Sequence, residues 1–384
     1  MYNFDEMVDR RGSYSYKWDV ADNELPMWVA DMDFRVAPEI REAIEERVKQ
    51  DVFGYGMIPD SWQEAYASWW RRRHGYEMDK EALIFTTGVV PAISTTVRKI
   101  TEPAEKVLIQ TPVYNIFFNS IFNNGRYILE SPLVYKEGQY SIDWEDLEAK
   151  LSDPQTTLMI LCNPHNPVGK IWDRDTLERI GQLCYKHGVV VLSDEIHCDI
   201  TDPGREYIPF ASVSDHCRDN SITCIAPTKA FNLAGFQTAA VYVPNPKLRH
   251  KVWRALNTDE VAEPNAFAIQ VAEAAFNKGQ AWLDELRQYL FENKKTVEKF
   301  IRDNNLRLWL VQSEATYLLW IDCSQYDKDS ERLASFIRKE TGLYLSEGSQ
   351  YGESGRSFLR LNIACPRERL MDGLNRLKRG LDKC

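Results

Sequence analysis

The sequence predicts an α/β protein, with a mostly parallel sheet between helices and a smaller α+β domain beside it. Three observations carry that prediction. Between about residues 82 and 243 six short apolar runs, "ALIFTT", "KVLIQ", "TLMILC", "VVVLS", "SITCIA" and "TAAVYV", are interleaved with amphipathic stretches, the pattern of successive βα units. Residues 264 to about 303 then read as two helices broken near Gly279, the second long enough to link domains. Beyond them the chain returns to short strands and helices, and 384 residues are more than one ordinary domain needs.

Helix signals mark the connections. "DWEDLEAKL" opens on an acidic cap, Asp143, and "DRDTLERIGQLCYKHG" runs from Asp173 to a terminating Gly188. After the two helices, "LRLWLVQ", "TYLLWID", a helical "DSERLASFIRKE", "LYLS", "SFLRLNIA" and a last helix from Pro366 make up the smaller domain. The expected division is a large domain over residues 51–284 and a small one built from 1–50 and 285–384.

Composition fits a globular enzyme. Hydrophobic residues are 44% and charged residues 27%, which sets aside disordered, coiled-coil and collagen-like classes. A net charge of -10 opposes a phosphate-backbone footprint, so nucleic acid is not an expected partner. The N-terminus lacks an apolar signal core and no run of about 18 apolar residues occurs, so no membrane association and a cytoplasmic location are expected. The eight cysteines form no CxxC pair and sit mostly in apolar runs, as small hydrophobes do; "IHC" and "DHC" lack the clustered spacing of a metal site, and no metal is expected.

Four loops that follow apolar runs carry unusual residues. "TTGVVPAIS" puts Gly88, Val89 and Val90 where a helix begins, offering N–H groups to an anion. "TPVY" ends on Tyr114, a ring able to stack on a flat heteroaromatic ligand. "NPHNPVGK" is a rigid turn that projects the Asn166 amide. "VVVLSDEIH" runs a nearly all-apolar strand into Asp194, a buried carboxylate that needs a cationic partner, with His197 close behind. Lys229, in "APTKAFNLAG", completes a set suited to pyridoxal phosphate: an amine for a Schiff base and an anion for the protonated ring nitrogen.

The order glycine loop, tyrosine, NPxNPxG, DE and the lysine of "TKAFN" resembles the fold type I pyridoxal-phosphate enzymes, the aspartate aminotransferase superfamily. More narrowly, "PMWVADMDF", "FGYG", "SDEIH" and "FLRLNIACPR" resemble the carbon–sulfur β-lyases of the MalY/PatB cystathionine β-lyase type, along nearly the whole chain. The resemblance implies that Lys229 is the Schiff-base lysine and catalytic base and that Asp194 pairs with the pyridinium. It implies that Asn166 and His197 contact the ring oxygen, that Tyr114 stacks on the ring, and that Gly88, Val89 and Val90 bind the phosphate, with Thr228 as a further hydroxyl. Tyr55 of "FGYG" would reach the phosphate of a neighbouring subunit, which requires a homodimer. Arg360 would clamp the substrate carboxylate, with Asn166 as a second substrate contact.

One position departs from the superfamily's aminotransferases: the arginine that many carry eight residues after the lysine is here Gln237. That favours the lyase branch, which also lacks it. The expected reaction is α,β-elimination of L-cystathionine or a cysteine-like substrate to a thiol, pyruvate and ammonia; the alternative is an aminotransferase, which shares the first half of the chemistry. Trp28 and "SEGSQYGESG" are expected to shape the substrate pocket.

Overall fold

The computed structural model describes residues 2–384. Its centre is a seven-stranded sheet made of β1 (Leu83–Thr86), β2 (Lys106–Ile109), β3 (Tyr127–Glu130), β4 (Thr156–Cys162), β5 (Val190–Asp194), β6 (Ser221–Ile225) and β7 (Ala239–Tyr242). The spatial order is β1-β7-β6-β5-β4-β2-β3, with β7 antiparallel to both neighbours and the other contacts parallel. The six apolar runs account for six strands. The seventh, β3, lies at the edge, where partial exposure removes the need for a continuous apolar run.

Both faces of this sheet are covered, which is why its strands read as unbroken hydrophobic stretches. Along β4, Leu158, Ile160 and Cys162 pack into one core, while Met159 and Leu161 pack into the core on the other face. The period-two alternation of a strand thus separates two apolar layers, each closed by helices. The expected caps are in place: Asp143 accepts from the Asp146 N–H at the start of Trp144–Leu151, and Asp173 accepts from the Thr176 N–H at the start of Arg174–His187. Gly188 ends that second helix at φ 70°, a left-handed angle that glycine takes without a Cβ penalty.

The helices Ala268–Lys278 and Gln280–Asp303 break at Gly279. A second, antiparallel sheet follows, ordered β8 (Trp309–Leu310), β9 (Leu318–Asp322), β11 (Phe358–Asn362) and β10 (Ser346–Glu347). The N-terminal segment joins this part through a parallel pairing of Leu25–Pro26 with Leu343–Tyr344. Midway along the long helix, fully buried Asn293 donates to the carbonyls of Ile363 and Cys365. Two N-terminal helices, Pro38–Lys49 and Asp60–His74, were not among the expected elements; the second buries Trp62, Tyr66, Trp69 and Trp70. Among the described residues no helix is long and apolar enough to cross a membrane.

Candidate active site

Because the parallel strands run the same way, the loops leaving β1, β2, β4, β5 and β6 open along one edge of the sheet, where a ligand can meet a side chain from each. A cavity of ≈ 260 Å³ lies there. Gly88, Val89 and Val90 line it from the β1 loop, Tyr114 from the β2 loop and Asn166 from the β4 loop. Asp194 and His197 enter from β5, Thr228 and Lys229 from the loop after β6, and Gln237 completes the wall.

The helix Val89–Ile100 starts at Gly88, so its first free N–H groups end at the cavity. Gly88 itself has φ 175°, an extended angle open to any residue, so its backbone angle does not require glycine. The "NPHNPVGK" turn is held rigidly: the ring of buried His165 bonds the Pro112 carbonyl at 2.8 Å, tying this loop to the one that carries Tyr114. Gly169 has φ 71°, and a Cβ there would come within 2.4 Å of Ser313 Cβ, so this glycine is needed.

The titratable groups are strongly perturbed. Burial pushes the Asp194 carboxyl up to about 7, opposed by a hydrogen bond from the Ile196 N–H and by the Lys229 charge. Burial, reinforced by Arg360, pushes the Lys229 ammonium down to about 8, with Asp31 and Asp194 acting the other way. Burial pushes the His197 imidazolium down to about 3, so that ring is neutral near pH 7. Tyr114 is raised to about 12, first by burial and then by Asp194.

Lys229 Nζ donates to the Ala30 carbonyl at 2.7 Å. Arg360 sits on the inner strand β11, not at a sheet edge, and is 5% exposed. Its Nη1 reaches Asn166 Oδ1 at 3.2 Å and its Nη2 the Trp28 carbonyl at 2.8 Å. Asn166 therefore links the cavity to the arginine. Buried Nδ1 of His197 and Nε of Arg360 have no hydrogen-bond partner. Such atoms are costly in a finished core, and they fit a site that completes its bonding with a ligand.

Two expectations fall outside this cluster. Tyr55 is fully exposed, in the irregular segment between the first two helices, and does not line the cavity of its own chain. Trp28 stacks on Tyr344 at 4.7 Å and takes part in the site through its carbonyl. The cavity also includes Ala30, Thr87, Cys162 and Ile196, which sequence reasoning missed because small and apolar residues give no chemical signal. Seven cysteines are buried and Cys384 is exposed. Cys198 joins His74 and Asp199 in a group whose ligand atoms lie within 4.8 Å of one another, a proximity invisible in the sequence because His74 lies so far from "IHC". Asp199 Oδ1 already accepts from the Trp69 indole and meets the His74 ring, each at 3.0 Å.

The aminotransferase class I and II family model matches residues 25–377. The chain belongs to that family. Among curated relatives it is 43% identical to the cystathionine β-lyase PatB of Bacillus subtilis (strain 168), over 99% of this chain and all of that protein. Among solved structures, a PLP-bound protein of Clostridium difficile 630 whose name places it with the aminotransferases superposes at a TM-score of 0.96, with 40% identity over 99% of this chain and 100% of that one. The PLP-bound C–S lyase of Staphylococcus hominis superposes at 0.93, with 33% identity over 99% and 98%. Family membership makes the convergence of strand-end loops on one cavity the expected location of its chemistry.

Proposed function

We propose that the protein is a pyridoxal-phosphate-dependent carbon–sulfur β-lyase of the cystathionine β-lyase type, acting by α,β-elimination on L-cystathionine or cysteine-like substrates. The single observation that carries this reading is end-to-end identity of 43% with a cystathionine β-lyase. The cavity agrees with it chemically. A nearly dianionic, aromatic, aldehyde-bearing cofactor needs an amine, a buried carboxylate, a flat ring neighbour and a cluster of N–H donors, and all line one space.

In this reading Lys229 would be the attachment point, Asp194 would pair with the ring nitrogen and Tyr114 would stack on the ring. Asn166 and His197 serve the ring oxygen, and the N–H groups of Gly88, Val89 and Val90 with the Thr228 hydroxyl serve the phosphate. Bound pyridoxal phosphate supplies an electron sink that makes a substrate α-proton removable and a β-thiolate expellable. The rest falls to the chain. Arg360 binds the substrate carboxylate with a fork that also keeps Asn166 in place. Lys229 takes the α-proton at Nζ; burial beside Arg360, which lowers its ammonium to about 8 in the cofactor-free chain, favours the neutral amine that a base needs.

Residues 51–284 form the cofactor-bearing domain in this proposal, and 1–50 with 285–384 bring Arg360 and the Trp28 carbonyl to it. The active unit is a homodimer in which Tyr55 serves a second copy. Supporting this, Val52, Phe53, Tyr55, Met57 and Ile58 form an exposed run of large apolar side chains.

The test is pyruvate release from L-cystathionine with pyridoxal phosphate and no keto acid. Pyruvate with matching thiol is expected from the wild type and none above background from Lys229→Ala. A pyridoxal-phosphate-loaded protein that yields no pyruvate from cystathionine or cysteine would reverse the assignment in favour of amino-group transfer.

A further inference from the structure

Residues 28–34, "WVADMDF", belong to no helix or strand, yet every carbonyl from Trp28 to Met32 accepts a hydrogen bond from a side chain. Trp28 O receives Arg360 at 2.8 Å and Ser346 at 3.1 Å. Val29 O and Asp31 O receive the two arms of one amide, Asn362 Nδ2, at 2.6 and 2.7 Å. Ala30 O receives Lys229 at 2.7 Å and the Tyr317 hydroxyl at 3.1 Å. Met32 O receives Arg10 at 3.0 Å and Asn232 at 3.1 Å. Asp31 O also receives Lys17 Nζ at 3.3 Å, so the segment is a strap held along its length by side chains, among them Arg360 and Lys229.

Asn232 is the unusual member. It lies in the same tight turn as Lys229, closed by bonds from Phe231 N to Pro227 O and from Leu233 N to Thr228 O. Its φ of 59° is left-handed, an angle asparagine tolerates better than most residues. From there its amide grips Met32 at both ends: Oδ1 accepts from the Met32 N–H at 3.0 Å, and Nδ2 donates to Met32 O and also to Phe34 O at 3.1 Å. The turn and the strap thus touch twice, at Lys229 on Ala30 and at Asn232 on Met32.

We propose that Asn232 is a positioning residue for Lys229: by fixing the strap to the lysine turn, it aims the Ala30 carbonyl so that it receives the lysine amine whenever that amine is not bonded to the cofactor. This rests on the reading of Lys229 as cofactor lysine and base. A lysine released from a covalent bond regains the freedom of its four-carbon stem, and a fixed acceptor keeps the amine poised instead of scattered. The Tyr317 hydroxyl donates to the same carbonyl. The charged groups facing the amine are Arg360, Asp31 and Asp194.

The test uses full-length cofactor-free protein, labelled at trace level with acetic anhydride across pH and read at the Lys229 peptide by mass spectrometry, alongside steady-state kinetics of the loaded enzyme. Asn232→Gly keeps the left-handed angle and deletes the grip; Tyr317→Phe keeps the ring and deletes one hydroxyl. For Asn232→Gly the labelling midpoint is expected to rise by about one pH unit or more, as the amine leaves its buried, Arg360-facing place. Its kcat is expected to fall about ten-fold or more with KM changed much less. Tyr317→Phe is expected to move both readouts in the same direction by less; if Asn232→Gly fails to fold, Asn232→Asp, which keeps the acceptor for the Met32 N–H and loses both donated bonds, is expected to show the same fall in kcat with KM changed much less. Unchanged midpoints and kcat in the folded variants, or a rise in KM alone, would overturn the proposal. If the wild type releases no pyruvate, the lyase reading fails while the labelling still decides the role of Asn232.

Discussion

Two buried aspartates, Asp33 and Asp194, are 1% and 4% exposed and have opposite surroundings. Asp33 is met by Arg10 at 2.9 Å, Lys17 at 3.2 Å, Arg369 at 3.1 Å and the Trp18 indole N–H at 2.9 Å. Against the cost of burial, those cations hold its carboxyl below the usual range. Asp194 accepts one backbone N–H at 3.2 Å and, among the described residues, makes no ion pair; burial dominates and its carboxyl is pushed up to about 7. The chain surrounds the first carboxylate with its own cations and leaves the second without one. A carboxylate that a fold has buried without neutralising is stable only with something brought from outside, which is what a protonated ring nitrogen supplies.

Exchanging each carboxylate for an amide gives the largest effects and can break this contrast. Asp33→Asn leaves three cations facing a neutral group and is expected to cost about 3–5 kcal/mol of folding stability, measured by denaturant unfolding of the cofactor-free protein. Asp194→Asn is expected to leave the cofactor-free chain as stable as the wild type or more so, because an underpartnered charge is gone. Its turnover should instead fall on the order of 10²-fold, together with cofactor affinity. If the two variants lost stability equally, Asp194 would be a structural carboxylate like Asp33.

The same contrast explains what the sequence could reveal. The strands of the central sheet were legible because burial on both faces makes them continuous apolar runs, and Gly88, Tyr114, Asn166, Asp194 and Lys229, which line the cavity, stood out because each comes at or just past the end of such a run. Edge strand β3 was missed because its half-exposed residues carry no such run. Helix Asp60–His74 was missed because its signal is aromatic, with Trp62, Tyr66, Trp69 and Trp70 buried against other rings rather than an aliphatic stripe. The strap was invisible as a device. "PMWVADMDF" marked a resemblance, but its work at the site is done by carbonyl oxygens, which every residue has, and the partners lie hundreds of positions away at Lys229, Tyr317 and Arg360.

Arg360 sharpens the comparison at smaller scale. Arg10, beside Asp33, bonds two carboxylates, a carbonyl and a hydroxyl. Arg360 bonds an amide oxygen and a carbonyl, with its Nε unpartnered. Arg360→Lys keeps the charge and loses the fork, so KM for L-cystathionine is expected to rise about ten-fold while kcat changes less. A change in kcat alone would place the arginine's role in the proton transfer rather than in carboxylate binding.

The smallest expected effect, a pH dependence, bears most directly on Asp194. A carboxyl whose folded value is lowered, as for Asp33, adds stability above the ordinary unfolded value near about 4 and loses it as pH falls through the lower folded value. A carboxyl raised to about 7, as for Asp194, adds no penalty below that unfolded value; the penalty grows as pH rises from there and levels off above about 7. Lys229, lowered to about 8, works the other way: its penalty is complete below that value and fades as pH rises from there toward the ordinary lysine range near about 10. Without cofactor, the two penalties overlap most fully near neutrality. Thermal unfolding of the cofactor-free wild type and Asp194→Asn, from about pH 5 to about pH 8, should therefore diverge, with the variant gaining ground as pH rises. Saturating pyridoxal phosphate should shrink or reverse that gap, since it binds the folded chain and gives the carboxylate the partner the variant cannot use. Parallel curves in the absence of cofactor would mean that the chain already neutralises Asp194, and its likeness to Asp33 would then outweigh the difference.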